Sequence, residues 1–195
     1  MKRVCVFCGS SRGTRKEYLS AARALGESLA RQGLDLVYGG AHLGLMGAVA
    51  DAALAAGGSV IGVIPESLVA KEIAHRSLRD LRVVSSMHER KALMAELSDA
   101  FIALPGGFGT LEELCEILTW CQLGLQRKLV SVLNTCGYFD RLLELFDHFV
   151  SEGFLLPDHR RLLLVDDDPD RLIGILRTMT PPKLPDKWIK ELSQA

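Results

Sequence analysis

Ala100-Phe101-Ile102-Ala103-Leu104-Pro105-Gly106-Gly107-Phe108-Gly109-Thr110-Leu111-Glu112-Glu113 is the stretch on which the fold of this chain turns. An apolar run, short enough for a strand buried on both faces, stops at a proline. Glycines then make a tight turn and an amphipathic helix begins, expected over residues 111–123. Free amides at such a helix start favour an anion, and glycine lets the main chain come close to it. Working outward, two more glycine loops follow apolar runs: Gly9-Ser10-Ser11, and Gly39-Gly40-Ala41-His42-Leu43-Gly44-Leu45-Met46-Gly47. Strands are expected over 3–7, 35–38, 59–64, 81–84, 100–104, 129–133 and 162–165. Helices are expected over 14–32, 45–56, 87–97, 111–123, 139–152 and 169–179. This alternation predicts an α/β fold with a doubly wound, mainly parallel sheet of about seven strands. Ligands in such sheets bind beyond the carboxyl ends of the strands, where all three glycine loops fall. Neither a P-loop lysine nor GxGxxG is present, so triphosphate and dinucleotide sites of those types fit poorly.

Length and charge narrow the field. The 195 residues suggest one domain over 1–180 and a proline-bearing tail over 181–195, with a short amphipathic piece around Trp188-Ile189. Hydrophobic residues make up 48% of the chain, enough for a core without disulfides or metal. The 23 basic and 24 acidic residues leave a net charge of −1, unlike a nucleic-acid footprint. No apolar run reaches the ~18 residues of a membrane helix. The opening apolar run is too short for a signal-peptide core, so the chain reads as cytoplasmic. Cys5 and Cys8 have CxxC spacing, but Cys5 lies inside the first expected strand, which suits a buried thiol better than a redox pair.

Two helix starts carry charge. Thr110 to Glu113 fits a capping box, a structural use for Glu113. A carboxylate beside a phosphate-binding loop can also stabilise an oxocarbenium-like ribose and orient water. In Ser86-Met87-His88-Glu89-Arg90-Lys91, Ser86 and Glu89 form a second capping box. At about 100° per residue, Arg90 shares the apolar arc of Met87, Met94 and Leu97, with Lys91 a quarter-turn away. A guanidinium there either snorkels, pairs with a structural acid, or holds a phosphate or ribose. His88 reads as solvent-facing or capping.

Together, Met87-His88-Glu89-Arg90-Lys91 and Pro105-Gly106-Gly107-Phe108-Gly109-Thr110-Leu111-Glu112-Glu113 resemble the signature of the LOG (LONELY GUY) family. The likeness extends from Phe7-Cys8-Gly9-Ser10-Ser11 through Tyr38-Gly39-Gly40 to Glu152-Gly153-Phe154. It implies a modified Rossmann fold, a homodimer, and hydrolysis of AMP or N6-modified (cytokinin) riboside 5′-monophosphates to free base and ribose 5-phosphate, without metal or cofactor. Catalytic roles are implied for Arg90 and Glu113. Substrate contacts are implied for Glu72, Arg90, Lys91, Gly107, Phe108, Gly109, Thr110, Leu111, Glu112, Glu113 and Thr119. Phe108 stands where the family often has tyrosine, so a hydroxyl is missing there. Thr119 lies about 120° from Glu113 around the helix, which allows one ligand to meet them from different subunits. The older family label is "possible lysine decarboxylase". Pyridoxal chemistry needs a Schiff-base lysine, and Lys91 is the sole lysine in either motif. Competing readings are a non-catalytic nucleotide- or molybdenum-cofactor-binding protein of the same fold, and a single-strand DNA binder, which the balanced charge disfavours.

Overall fold

A computed structural model describes residues 1–69, 71 and 73–182. Glu72 and most of the expected tail, with its Trp188-Ile189 piece, lie outside the described residues. The strands are β1 (Arg3–Phe7), β2 (Asp35–Tyr38), β3 (Val60–Pro65), β4 (Asp80–Val84), β5 (Ala100–Ala103), β6 (Leu129–Leu133) and β7 (Leu163–Asp166). They form one sheet in the order β4-β3-β2-β1-β5-β6-β7, every neighbouring pair parallel. The helices are α1 (Lys16–Arg31), α2 (Gly44–Ala55), α3 (Glu66–Val69), α4 (Met87–Leu97), α5 (Phe108–Gln122), α6 (Asp140–Ser151), α7 (Pro157–Arg160) and α8 (Pro169–Thr178). This is the α/β, doubly wound Rossmann-like architecture that the alternation of patterns predicts. Among the described residues, no helix is long and apolar enough to cross a membrane.

Strand alternation divides the core in two. Val4, Val6, Ile102 and Leu104 face one layer with Leu25 and Leu29 of α1, Val49 of α2 and Leu172 of α8. Cys5, Phe7, Phe101 and Ala103 face the other, against Met94 of α4 and Leu114 and Ile117 of α5. Cys5 and Cys8 are therefore buried on opposite faces, and all five cysteines are free thiols. Burial raises the pKa of both, with the Glu113 charge adding to it.

The chain leaves β1, builds outward to β4, then returns to place β5 on the other side of β1. That reversal is the switch point. Phe7 pairs with Ala103, and the pairing runs on past the strands through Leu104 N–H to Phe7 O (2.9 Å) and Gly9 N–H to Pro105 O (3.0 Å). The first and third glycine loops are thus bolted side by side. Gly106 permits this closeness: a Cβ there would lie 2.1 Å from Thr110 Oγ1 and 2.8 Å from Gly9 N.

Most expected boundaries move by one or two residues. One shift has consequences. Helix α5 starts at Phe108, not Leu111, with Gly107 in the N-cap position and no side-chain cap. The expected Thr110–Glu113 capping box is not made. Thr110 sits in the first turn and Glu113 in the second, which frees Glu113 from an N-terminal role. Helices α3 and α7, and a 3₁₀ turn at Thr135–Gly137, were not expected from periodicity because they are too short to show one.

Candidate active site

Helices α4 and α5 both begin at the carboxyl edge of the sheet, so their first turns border the same space. The expected capping box of α4 is half made, with Glu89 reaching back to Ser85 instead of the Ser86 amide, and these bonds hold the helix start in place. Ser86 Oγ accepts from Glu89 N–H (3.1 Å), while the Glu89 carboxylate accepts from the N–H and hydroxyl of Ser85 (2.8 and 2.7 Å). Those bonds from Ser85 hold the Glu89 carboxyl below its usual pKa. His88 is exposed, as expected.

Arg90, one turn into α4, is buried rather than snorkelling. Its Nε donates to Val63 O (3.1 Å) and its Nη2 to Gly39 O (3.1 Å), so it reads the carbonyl ends of two adjacent strands, β3 and β2. The remaining Nη1 lies 4.0 Å from Glu113 Oε1. Arg90 thus spends its best hydrogen bonds on the main chain and only partly compensates Glu113. Burial dominates the carboxyl, opposed by Arg90 and reinforced by Glu112, and its pKa is pushed up to about 7.

Arg90 and Glu113, side by side, both line a cavity of about 410 Å³, within the usual range of ~300–1,000 Å³ for small-molecule sites. Gly107, Phe108, Gly109, Thr110 and Glu112 border it on the α5 side. Ser10, Met46 and Met87 add further walls, with Leu68 and Ile73 from the segment after β3. That segment is tied to the second glycine loop by His42 N–H to Ile73 O (3.0 Å) and His75 N–H to Gly40 O (2.9 Å). The first intrahelical bond of α5 runs from Leu111 N–H to Gly107 O (3.1 Å). The amides of Phe108, Gly109 and Thr110 therefore have no partner within the helix and suit an anion. The site combines such a cradle with a fixed cation and a carboxyl near neutrality.

Residues 46–176 match the family described as possible lysine decarboxylase. The chain is 52% identical to the probable cytokinin riboside 5′-monophosphate phosphoribohydrolase LOGL9 of Oryza sativa subsp. japonica, over 92% of this chain and 79% of that protein. It is also 52% identical to the cytokinin riboside 5′-monophosphate phosphoribohydrolase LOG of the same plant, over 92% of this chain and 74% of that one. The chain belongs to the LOG family. Among solved structures, the molybdenum cofactor binding protein of Rippkaea orientalis matches with a TM-score of 0.70 over 91% of this chain and 97% of its own. At 22% identity, that match shows a shared fold alone.

In this LOG-family chain, the residues named by the resemblance do not all share one cavity. Arg90, Gly107, Phe108, Gly109, Thr110, Glu112 and Glu113 line it. Leu111 lines a neighbouring hollow with Tyr138 and Leu142. Thr119 lines a larger, apolar hollow of about 480 Å³ with Phe146, Phe149 and Phe154, which lacks the cation and carboxyl pairing of the first. Glu72 lies outside the described residues, although its neighbour Ile73 is a wall of the site. Phe108 stands almost fully exposed at the rim, 93% accessible, as a ring free to stack on a flat base.

Lys91 sits off the cavity. Its ammonium is paired with Glu112 and, at 3.1 Å, with Glu116. Burial pulls its pKa down, but the hydrogen bonds of both glutamates outweigh that and hold it above the usual lysine range. Two parallel pairs therefore join α4 to α5, Arg90 with Glu113 inside and Lys91 with Glu112 outside. Lys91→Met is expected to cost about 1 kcal/mol, because Glu112 remains well solvated. Without that cation, the Glu113 pKa should rise further. In steady-state assays, the acid limb of activity should move to higher pH while KM stays within about threefold. A KM rise of ~100-fold or more would instead make Lys91 a direct phosphate ligand.

Sequence reasoning passed over Ser10, Met46 and Met87 as site residues. Ser10 was legible in the first glycine loop. The two methionines carry no local signal that separates a cavity wall from core.

Proposed function

We propose that this chain hydrolyses the N-glycosidic bond of AMP and of N6-modified, cytokinin-type riboside 5′-monophosphates, giving free base and ribose 5-phosphate. The carrying observation is the juxtaposition of Arg90 and Glu113 in one cavity that the glycine loop also lines. The phosphoribohydrolase names of close relatives support the same chemistry. On this reading the loop amides and Arg90 hold the 5′-phosphate and ribose. The C1′–N9 bond breaks with its electron pair going to the purine, which takes up a proton from solvent; Glu113 returns to solvent the one it gains from the attacking water. Glu113, as carboxylate, stabilises the ribosyl cation and receives the proton of the water that bonds to C1′. The phosphate is a handle and is not transferred.

A decarboxylase reading finds little support. The ammonium of Lys91 is held by two glutamates off the cavity, a poor setting for a Schiff base. A homodimer is part of the proposal. Exposed Leu145, Phe149 and Phe154 leave an apolar surface beside Thr119, and sedimentation of the purified chain tests the pairing.

The direct test is incubation with AMP, N6-isopentenyl-AMP, GMP and adenosine, with released base followed by chromatography. Adenine-type monophosphates should be cleaved and adenosine should not. Because the active form is the carboxylate, kcat/KM should fall as pH drops through about 7, the pKa to which Glu113 is raised. Nucleotide binding with no base released would favour the non-catalytic alternative. A profile flat from pH 5 to 9, on the order of no change at all, would remove Glu113 as the titrating base.

A further inference from the structure

The hydroxyl of Tyr138 reaches the glycine loop from the turn after β6. Its Oη donates to Gly106 O at 2.6 Å. The turn that presents it is unusual. Cys136 has φ 55° and ψ 30°, making it the one non-glycine among the described residues with positive φ, and Gly137 follows with φ 69°. A side-chain-bearing residue stays left-handed only where its surroundings hold it there. Here Asn134 does so, accepting from Phe139 N–H and donating to Asp140 Oδ1, both at 2.7 Å. The Tyr138 ring is then braced edge-on by Tyr18 of α1 (5.5 Å) and by Phe139 (5.1 Å).

The peptide between Gly106 and Gly107 needs such a brace. With no Cβ on either side, it can rotate with little steric resistance. In a trans peptide, carbonyl and amide point in opposite directions. Holding Gly106 O toward Tyr138 therefore turns the Gly107 N–H away from it. The hollow that Tyr138 lines and the Arg90–Glu113 cavity meet along the loop, where Gly107, Phe108 and Thr110 border both. A flipped peptide would exchange a donor for a carbonyl oxygen on the side where an anion binds.

We propose that Tyr138 is a positioning residue for phosphate recognition, locking the Gly106–Gly107 peptide so that the loop presents N–H groups to the anion. This rests on the functional reading above, in which the loop holds the 5′-phosphate. It assigns a role to a residue from the turn after β6, outside both signature motifs.

The test compares wild type with Tyr138→Phe by calorimetric titration of two ligands and by thermal melting. Ribose 5-phosphate carries the phosphate but no base, and adenosine carries the base but no phosphate. Tyr138→Phe should weaken ribose 5-phosphate about tenfold, the effect of misaiming one charge-assisted hydrogen bond, and leave adenosine and the melting temperature unchanged. Unchanged ribose 5-phosphate affinity would overturn the proposal. So would equal weakening of both ligands with a lowered melting temperature, which marks a merely structural hydroxyl. Wild-type protein that binds ribose 5-phosphate but releases no adenine from AMP would sink the hydrolase reading and leave this comparison intact.

Discussion

Glu113→Gln is expected to abolish base release, with kcat falling roughly 10³-fold, and at the same time to stabilise the folded protein above neutral pH. The two effects share one cause. Burial lifts the Glu113 carboxyl from 4.5 to about 7, because Arg90, held by two carbonyls and 4.0 Å away, does not repay the loss of water. A carboxyl whose folded pKa is raised favours folding while it is protonated. That contribution is complete below its unfolded value near 4.5 and is lost as pH rises through about 7. At pH 8 the folded protein therefore holds a desolvated anion. Glutamine keeps the shape and cannot ionise. The gain should be on the order of 1–3 kcal/mol at pH 8 and shrink toward pH 5. In a chain of this length that is about 2–4 °C per kcal/mol in melting temperature. Kinetics and melting of the same preparation at both pH values check the pairing of effects. A fully active Glu113→Gln enzyme would end the proposed role. A variant that melts lower at pH 8 would mean that attraction to Arg90 outweighs burial.

Gly39→Ala should disable the site with both charged residues retained. The Gly39 backbone is not left-handed, so alanine meets no torsional strain there. The obstacle is contact. A Cβ would lie 1.8 Å from Arg90 Nη2 and 3.1 Å from Met46 Sδ. Arg90 must then give up Gly39 O, its fork between β2 and β3 opens, and Nη1 loses its alignment with Glu113. A displacement near 1 Å in such a site can lower kcat/KM ~100-fold. Leaving Gly39 O unpaired in a buried setting should cost about 1–3 kcal/mol. Steady-state assays and thermal melting would report both. Arg90→Lys gives an independent arm: it keeps the charge but cannot bridge two carbonyls with a planar fork, so it should fail in a similar way. If Gly39→Ala works as well as wild type, the exact seat of the guanidinium is not what matters.

Much of this site could be read in the residues before any coordinates. The strand–glycine–helix pattern around Pro105 and the apolar arc that includes Arg90 both depend on spacings of a few residues. The arc left open whether Arg90 snorkels or is held inside; the structure buries it with Met94, while Met87 on the same arc stays exposed. The start of α5 did not follow. Thr110 and Glu113 satisfy a capping pattern, and nothing local excludes it; the helix starts earlier because Gly107 already provides the extended residue that precedes its first turn. Lys91 and Thr119 show the same limit. Each lies on the expected helix, but the space it faces depends on the neighbour across from it.

What the sequence by itself determined is the order of strands and helices, the parallel sheet, and three glycine loops at one edge. Apolar periodicity and the conformational freedom of glycine act over a few residues, so the chain displays them directly. Only the tertiary structure decided that β5 lies against β1, that Arg90 of α4 confronts Glu113 of α5, and that Tyr138 reaches the Gly106 carbonyl. Those pairings arise when two layers of helices close on a common sheet. Segments far apart along the chain then share one dehydrated space, where burial rather than residue type sets the charge of Glu113.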